Sequence, residues 1–239
     1  MIQEKLKLIK QFCQQNSDPA IIEKYSKYFK EGYDGYGIEQ KVFEEQRDKW
    51  IHEWAGEMTI DNYLDLSDEL FKNGKLEEKS LAIMFINSKR DKFSKSTFVR
   101  IGKWFDYGID NWATTDILCM VVMPNFLNDN VINFDDLKTW NDAESEWQRR
   151  AVPVTLVEMI KPGLKASEAI KAIEPLMMDK SVYVQKGLGT LLRGLWKNQP
   201  DEIEAFLLKW KDQSPRMIYQ YATEKMDKEY RKKFRKAKV

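Results

Sequence analysis

The stretch EWQRRAVPVTL, residues 146–156, decides the reading of this chain, because it recurs. A polar entry, a region of paired charge and then small and aliphatic residues also run through EEKSLAIMFI from Glu77 and VYVQKGLGTLL from Val182. Aligning the three sets Ser80, Arg150 and Lys186 in register, 70 and 36 residues apart. Half of the longer interval falls near position 115, and NWATTDILCMVV from Asn111 occupies that place. Four units about 35 residues apart, each long enough for two helices, predict a solenoid of HEAT-like helix pairs whose neighbours bury each other's apolar faces.

Punctuation between the units agrees. Asn16-Ser-Asp-Pro19, Gly32 to Gly37, Asn73-Gly74, Met123-Pro-Asn125, Pro162-Gly163 and Asn198-Gln-Pro200 separate stretches in which apolar residues recur at spacings of three and four. Few stretches alternate as strands do, so the expectation is an all-α, superhelical repeat fold. Equivalent residues of successive units then line a concave groove, which makes Asp116, Arg150 and Lys186 candidates for one shared surface. The expected organisation is one repeat domain over residues 1–210, with 211–239 as its helical, basic end.

Composition narrows the chemistry. The 239 residues are 43% hydrophobic and 13% aromatic, enough for a sizeable core. Apolar runs of 18 residues are absent and the opening MIQEKLKLIKQF mixes charge with aliphatics, so neither a membrane span nor a secretory segment is expected and the cytoplasm is the expected location. Cys13 and Cys119 stand alone, without the spacing of a disulfide framework or a thiolate zinc site. A single histidine, His52, removes most metal hydrolases and Ser/Cys-His arrangements and is assigned no role of its own. Carboxylates, lysines, arginines and aromatics are left to do any chemistry, with no metal or organic cofactor expected.

The net charge of +1 conceals an asymmetry. Residues 1–210 hold 29 Lys and Arg against 34 Asp and Glu, a balance of −5, whereas residues 211–239 hold 10 against 4, a balance of +6. Such an end either is simply solvated or meets phosphates.

Three ordered motifs carry a resemblance. Trp112-Ala-Thr-Thr-Asp116, Trp147-Gln-Arg-Arg-Ala151 and Gln185-Lys-Gly-Leu-Gly-Thr-Leu-Leu-Arg193 resemble, in order and spacing, those of the AlkD-type DNA alkylation repair glycosylases, a family of HEAT-like repeat proteins. Tyr28-Phe-Lys30 followed by Gly37-Ile38 resembles that family's N-terminal element, so the likeness runs from about residue 20 to about residue 210. One departure stands out: Thr190 occupies a place where the family often has a second tryptophan, and Trp196, six positions on, lies on another helix face.

The resemblance implies a monofunctional glycosylase that releases positively charged N3- or N7-alkylated purines from double-stranded DNA; a capped solenoid needs no partner to fold, so a monomer is expected. The physical case is coherent. A cationic purine leaves without protonation, a carboxylate stabilises the oxocarbenium character left on the sugar, and an indole face attracts polarised C–H groups, at about 0.5 to 2 kcal/mol when desolvated. Four residues apart on a helix, Trp112 and Asp116 share a face and form the candidate catalytic pair. Arg150 is the candidate phosphate anchor, with Arg149, Lys186, Arg193 and Tyr28 as further DNA contacts. Each residue also has a plainer use: Trp112 as packing between repeats, Asp116 as a cap or exposed acid, and Arg150 in an ion pair with Glu144 or Glu146. At the level of the whole protein, the rival readings are a catalytically silent HEAT-like binder of distorted or branched DNA and a protein-interaction solenoid.

Overall fold

The computed structural model describes residues 1–30 and 32–237, and every regular element among them is helical. In chain order the α-helices are α1 (Ile2–Gln15), α2 (Pro19–Ser26), α3 (Gln40–Trp54), α4 (Ile60–Asn73), α5 (Leu76–Asn87), α6 (Lys95–Gly102), α7 (Trp104–Tyr107) and α8 (Trp112–Val121). They continue with α9 (Met123–Asn128), α10 (Phe134–Lys138), α11 (Glu146–Glu158), α12 (Ala166–Ile173), α13 (Val182–Trp196), α14 (Pro200–Trp210) and α15 (Arg216–Ala222). Short 3-10 turns fill several joints, the last at Tyr230–Phe234.

The expected breaks are physical ends. Pro19 and Pro200 sit in the first turns of α2 and α14, where a missing N–H costs nothing, and Asp18 caps α2 by accepting from Ala20 N–H at 2.8 Å. Pro124 likewise falls in the first turn of α9, so helix resumes through Met123-Pro-Asn125 and the actual break is at Val122. Pro153 behaves differently: it lies inside α11 and the helix runs through it. Gly163 ends the following turn at φ 107°, a conformation that costs glycine little.

The repeat register is visible in the helices themselves. Ser80, Asp116, Arg150 and Lys186 are each the fifth residue of their helices, α5, α8, α11 and α13. Contacts divide the chain into two compact units, Met1–Asn125 and Phe126–Val239, a boundary that the sequence reading did not place.

Within the first unit α5 packs against α8 and α4, and α4 also meets α1 and α7. Within the second, α13 packs between α11 and α15, while α10, α12 and α14 form an adjoining row. Each unit thus has a row of register-bearing helices backed by an outer row. The first core is built on Trp104, Tyr63, Phe71 and Phe85, with Phe71 stacked on Trp104 at 4.3 Å. The second rests on the leucines of α13 with Tyr219 and Phe234. Glycine permits the closest approach there: a Cβ on Gly189 would stand 2.4 Å from Tyr221 Cβ and 2.7 Å from the Ile218 carbonyl oxygen, so α13 and α15 meet at the glycine. At the junction, α9 buries Met123 and Phe126 completely and ends in an exposed turn, where Asn130 takes φ 55°.

Candidate DNA interface

In the first unit the candidate pair opens α8. Asn111 caps the helix by accepting from Thr114 N–H at 2.9 Å, which fixes Trp112 as the first helical residue and Asp116 one turn later. Both side chains are half-buried. Trp112 stacks on Phe29, with centroids 5.2 Å apart and planes inclined by 28°, so Phe29 covers one face of the indole. That stacked face is closed to a ligand.

Trp112, Ala113 and Ile117 border a cleft of about 320 Å³ whose other wall carries Tyr25, Phe29 and Tyr33. Asp116, one turn after Trp112 on the same helix, is not among the residues that border the cleft. The cleft wall is held by the Gly32–Gly37 loop, which closes on the start of α5. The Glu77 carboxylate accepts from the backbone N–H of Tyr36 at 2.8 Å and of Gly37 at 2.7 Å, and Tyr33 Oη donates to it at 3.4 Å. Burial and the adjacent Glu77 charge push the Tyr33 hydroxyl pKa up. Gly37 is required: its φ is +68°, and a Cβ would stand 2.6 Å from the Asp18 carbonyl oxygen. Tyr36 is buried and Tyr33 half-buried, consistent with loop packing. Tyr28 is 65% exposed, while its neighbour Phe29 makes the tryptophan contact; the motif was legible, but the residue that uses it was not.

In the second unit the two arginines diverge. Arg149 Nε donates to Asp179 Oδ2 at 2.6 Å, and its Nη1 donates to the carbonyls of Ala143 and Glu144, both at 2.8 Å. It therefore ties the entry of α11 to the turn before α13. Arg150 Nη1 donates to the Tyr183 carbonyl at 2.6 Å in the first turn of α13. Gly187 helps to seat it, since a Cβ there would meet Pro153 at 3.2 Å and Arg150 Nη1 at 3.7 Å. Glu146, in the same helix as Arg150, accepts from Ser181 Oγ.

The rest of both motifs is mostly packing. Trp147 is buried against Tyr183 at 4.6 Å, Ala151 is fully buried, and Gln185 donates to the Asp179 carbonyl at 2.8 Å. Lys186 lies half-buried with Nζ 5.6 Å from the Tyr183 ring centre, and Arg193 pairs with Glu224. Thr190 is half-buried on α13, and the Trp196 indole donates to Glu204 Oε1 at 2.9 Å, a contact within the second unit. Asp179, Phe29 and the Tyr183 carbonyl carry no sequence signature. They matter through position, and a backbone acceptor is identical at every residue.

Among the described residues no group of three or more His, Cys, Asp or Glu is arranged to hold a metal, and no helix is long and apolar enough to cross a membrane.

The model of a family described as DNA alkylation repair enzyme matches residues 9–226. Among solved structures, an Enterococcus faecalis protein described as a "Predicted DNA alkylation repair enzyme" superposes with a TM-score of 0.77 at 16% identity, over 89% of this chain and 98% of that one. AlkD2 from Streptococcus mutans superposes with a TM-score of 0.61 at 19% identity, over 86% of this chain and 97% of that one. These likenesses bear on the fold, which the chain shares. No curated protein matches the chain.

Proposed function

Because the chain belongs to the DNA alkylation repair enzyme family, we propose that it is a monofunctional glycosylase hydrolysing the N-glycosidic bond of N3- or N7-alkylated purines in duplex DNA. The observation that carries this is the placement of Trp112 and Asp116 one turn apart at the start of α8, with Trp112 bordering an aromatic cleft of the first unit.

Alkylation at N3 or N7 makes the purine a cation. When the bond breaks, the purine leaves with the bonding electron pair, which neutralises its charge, so no general acid is needed. Positive charge then develops on the deoxyribose. The Asp116 carboxylate stabilises it and orients the water whose oxygen bonds to the anomeric carbon; the water's proton passes to the carboxylate or to solvent. The face of Trp112 away from Phe29 holds the sugar, and Phe29 behind it fixes the ring's tilt. Arg150 and Lys186 are the phosphate contacts, with Tyr28 as an exposed contact from the first unit. Arg149 and Arg193 leave the contact set, because each is bound to a carboxylate of its own unit. The protein acts as a cytoplasmic monomer without metal or organic cofactor.

A duplex bearing one N7-methylguanine, incubated with excess protein and then heated in alkali, tests the reading. Base release above the spontaneous background is expected, and Asp116→Asn abolishes it while leaving duplex binding within about twofold. Release unchanged in Asp116→Asn overturns the assignment. Thr190 and the covered face of Trp112 favour a second reading, a silent binder of distorted DNA, which a gel shift without any release identifies.

A further inference from the structure

The basic end of the chain is a strap fastened at several points. Glu204 on α14 accepts from three donors: the Trp196 indole at 2.9 Å, Tyr230 Oη at 2.7 Å to one oxygen and 2.8 Å to the other, and Lys233 Nζ at 2.5 Å. Lys233 also lies 3.8 Å from the centre of the Tyr230 ring. Phe234, next in the chain, is 1% exposed and plugs the second core. Farther on, Ala237 N–H donates to Asp212 Oδ1 at 2.8 Å. At the strap's entry, Asp227 accepts from the backbone N–H of Glu229 at 2.8 Å and of Tyr230 at 3.3 Å.

Three acids of this region are ion-paired, Asp227 accepts from backbone N–H groups and feels the charge of Arg231, and a set of cations is left without an ion pair among the described residues. Glu224 pairs with Arg193 and Lys225, Glu229 with Lys232, and Glu204 with Lys233. Lys228, Arg231, Arg235 and Lys236 have no ion pair among the described residues; Arg231 is half-buried and the other three are exposed. Phe234 and the hydrogen bonds of the strap fix its backbone at folding, so binding a polyanion bears the ordering cost of the cationic side chains but not that of the segment that carries them.

We propose that this strap is a second phosphate-binding surface, confined to the second unit, that grips the backbone of undamaged duplex DNA through Lys228, Arg231, Arg235 and Lys236. It rests on the reading that the protein works on DNA, and not on the chemistry assigned to Asp116. Its role is to hold the protein on DNA independently of a lesion. Lys233 makes no phosphate contact, because its charge is committed to Glu204.

The test compares the full chain with the quadruple variant K228Q/R231Q/R235Q/K236Q on an undamaged duplex, measuring affinity from 50 to 200 mM salt. Each phosphate contact adds about 0.9 to the slope of log affinity against log salt, so the variant's slope is expected to be shallower by roughly 3 to 4. Affinity at the low-salt end falls by at least about tenfold. Lys233→Gln, made separately, leaves the slope within one unit. Single-turnover release of N7-methylguanine at saturating protein stays unchanged in the quadruple variant. Equal slopes for the full chain and the quadruple variant overturn the proposal, as does a difference seen only against anionic phospholipid vesicles. A full chain that shows the slope difference but releases no base keeps the strap and removes the glycosylase reading, so the two failures are distinct.

Discussion

Arg149 and Arg150 are adjacent, identical in chemistry, and equally plausible on paper as phosphate anchors. Their surroundings separate them. Arg149 faces Asp179, whose side chain is only 6% exposed, so its guanidinium balances a buried carboxylate. Removing one member of such a pair strands the other. Arg149→Gln is therefore expected to destabilise the protein by about 2 to 4 kcal/mol in urea unfolding, with the salt slope of DNA binding unchanged. Arg150 donates to the Tyr183 carbonyl, and Arg150→Gln is expected to weaken DNA binding and to make its salt slope shallower by about 0.9, the change that Arg149→Gln lacks. A motif names residue types at a spacing; it does not say which of two neighbours faces inward.

Helices were the most legible level. Glycine and proline punctuation located the ends of α1, α4 and α13 to within a residue or two, and the register of Ser80, Asp116, Arg150 and Lys186 proved to be one helical position. What the pattern left dark was the bonding between elements. Asp68 on α4 is an example: it takes hydrogen bonds from Arg100 on α6 and from the Trp104 indole and the Tyr107 hydroxyl of α7. Burial pushes its carboxyl pKa up, but these three donors outweigh burial and hold it below the usual range. A depressed carboxylate pKa contributes stability that is present above the unfolded value, about 3.9, and is lost as pH falls through the lower folded value. Asp68→Asn is expected to lower stability at pH 7 by about 1 to 2 kcal/mol. In acid melts the gap to the parent protein should narrow progressively below about pH 4. A gap that stays constant down to pH 2.5 rules out the charge as the source.

Over the whole molecule, repeat period and composition pointed to an all-helical chain, and the family match over residues 9–226 agrees. The division after Asn125 was not legible, because Met123, Pro124 and Phe126 read like any other helix start. Both cysteines lie in the first unit and are fully buried, and burial, with the charges of Glu78 and Glu77, pushes the Cys13 thiol pKa up. A disulfide-exchange reagent at pH 8 is therefore expected to label neither thiol quickly in the native protein and both in denaturant. Rapid native labelling would show that the first unit opens readily. One consequence of α9 concerns how a gene encoding this chain is cut or extended. Severing it at the contact boundary would split a helix and uncover Met123 and Phe126, whereas Asp129 and Asn130, just beyond, are exposed. A reporter or affinity module spliced into that turn leaves the buried side chains of α9 in place.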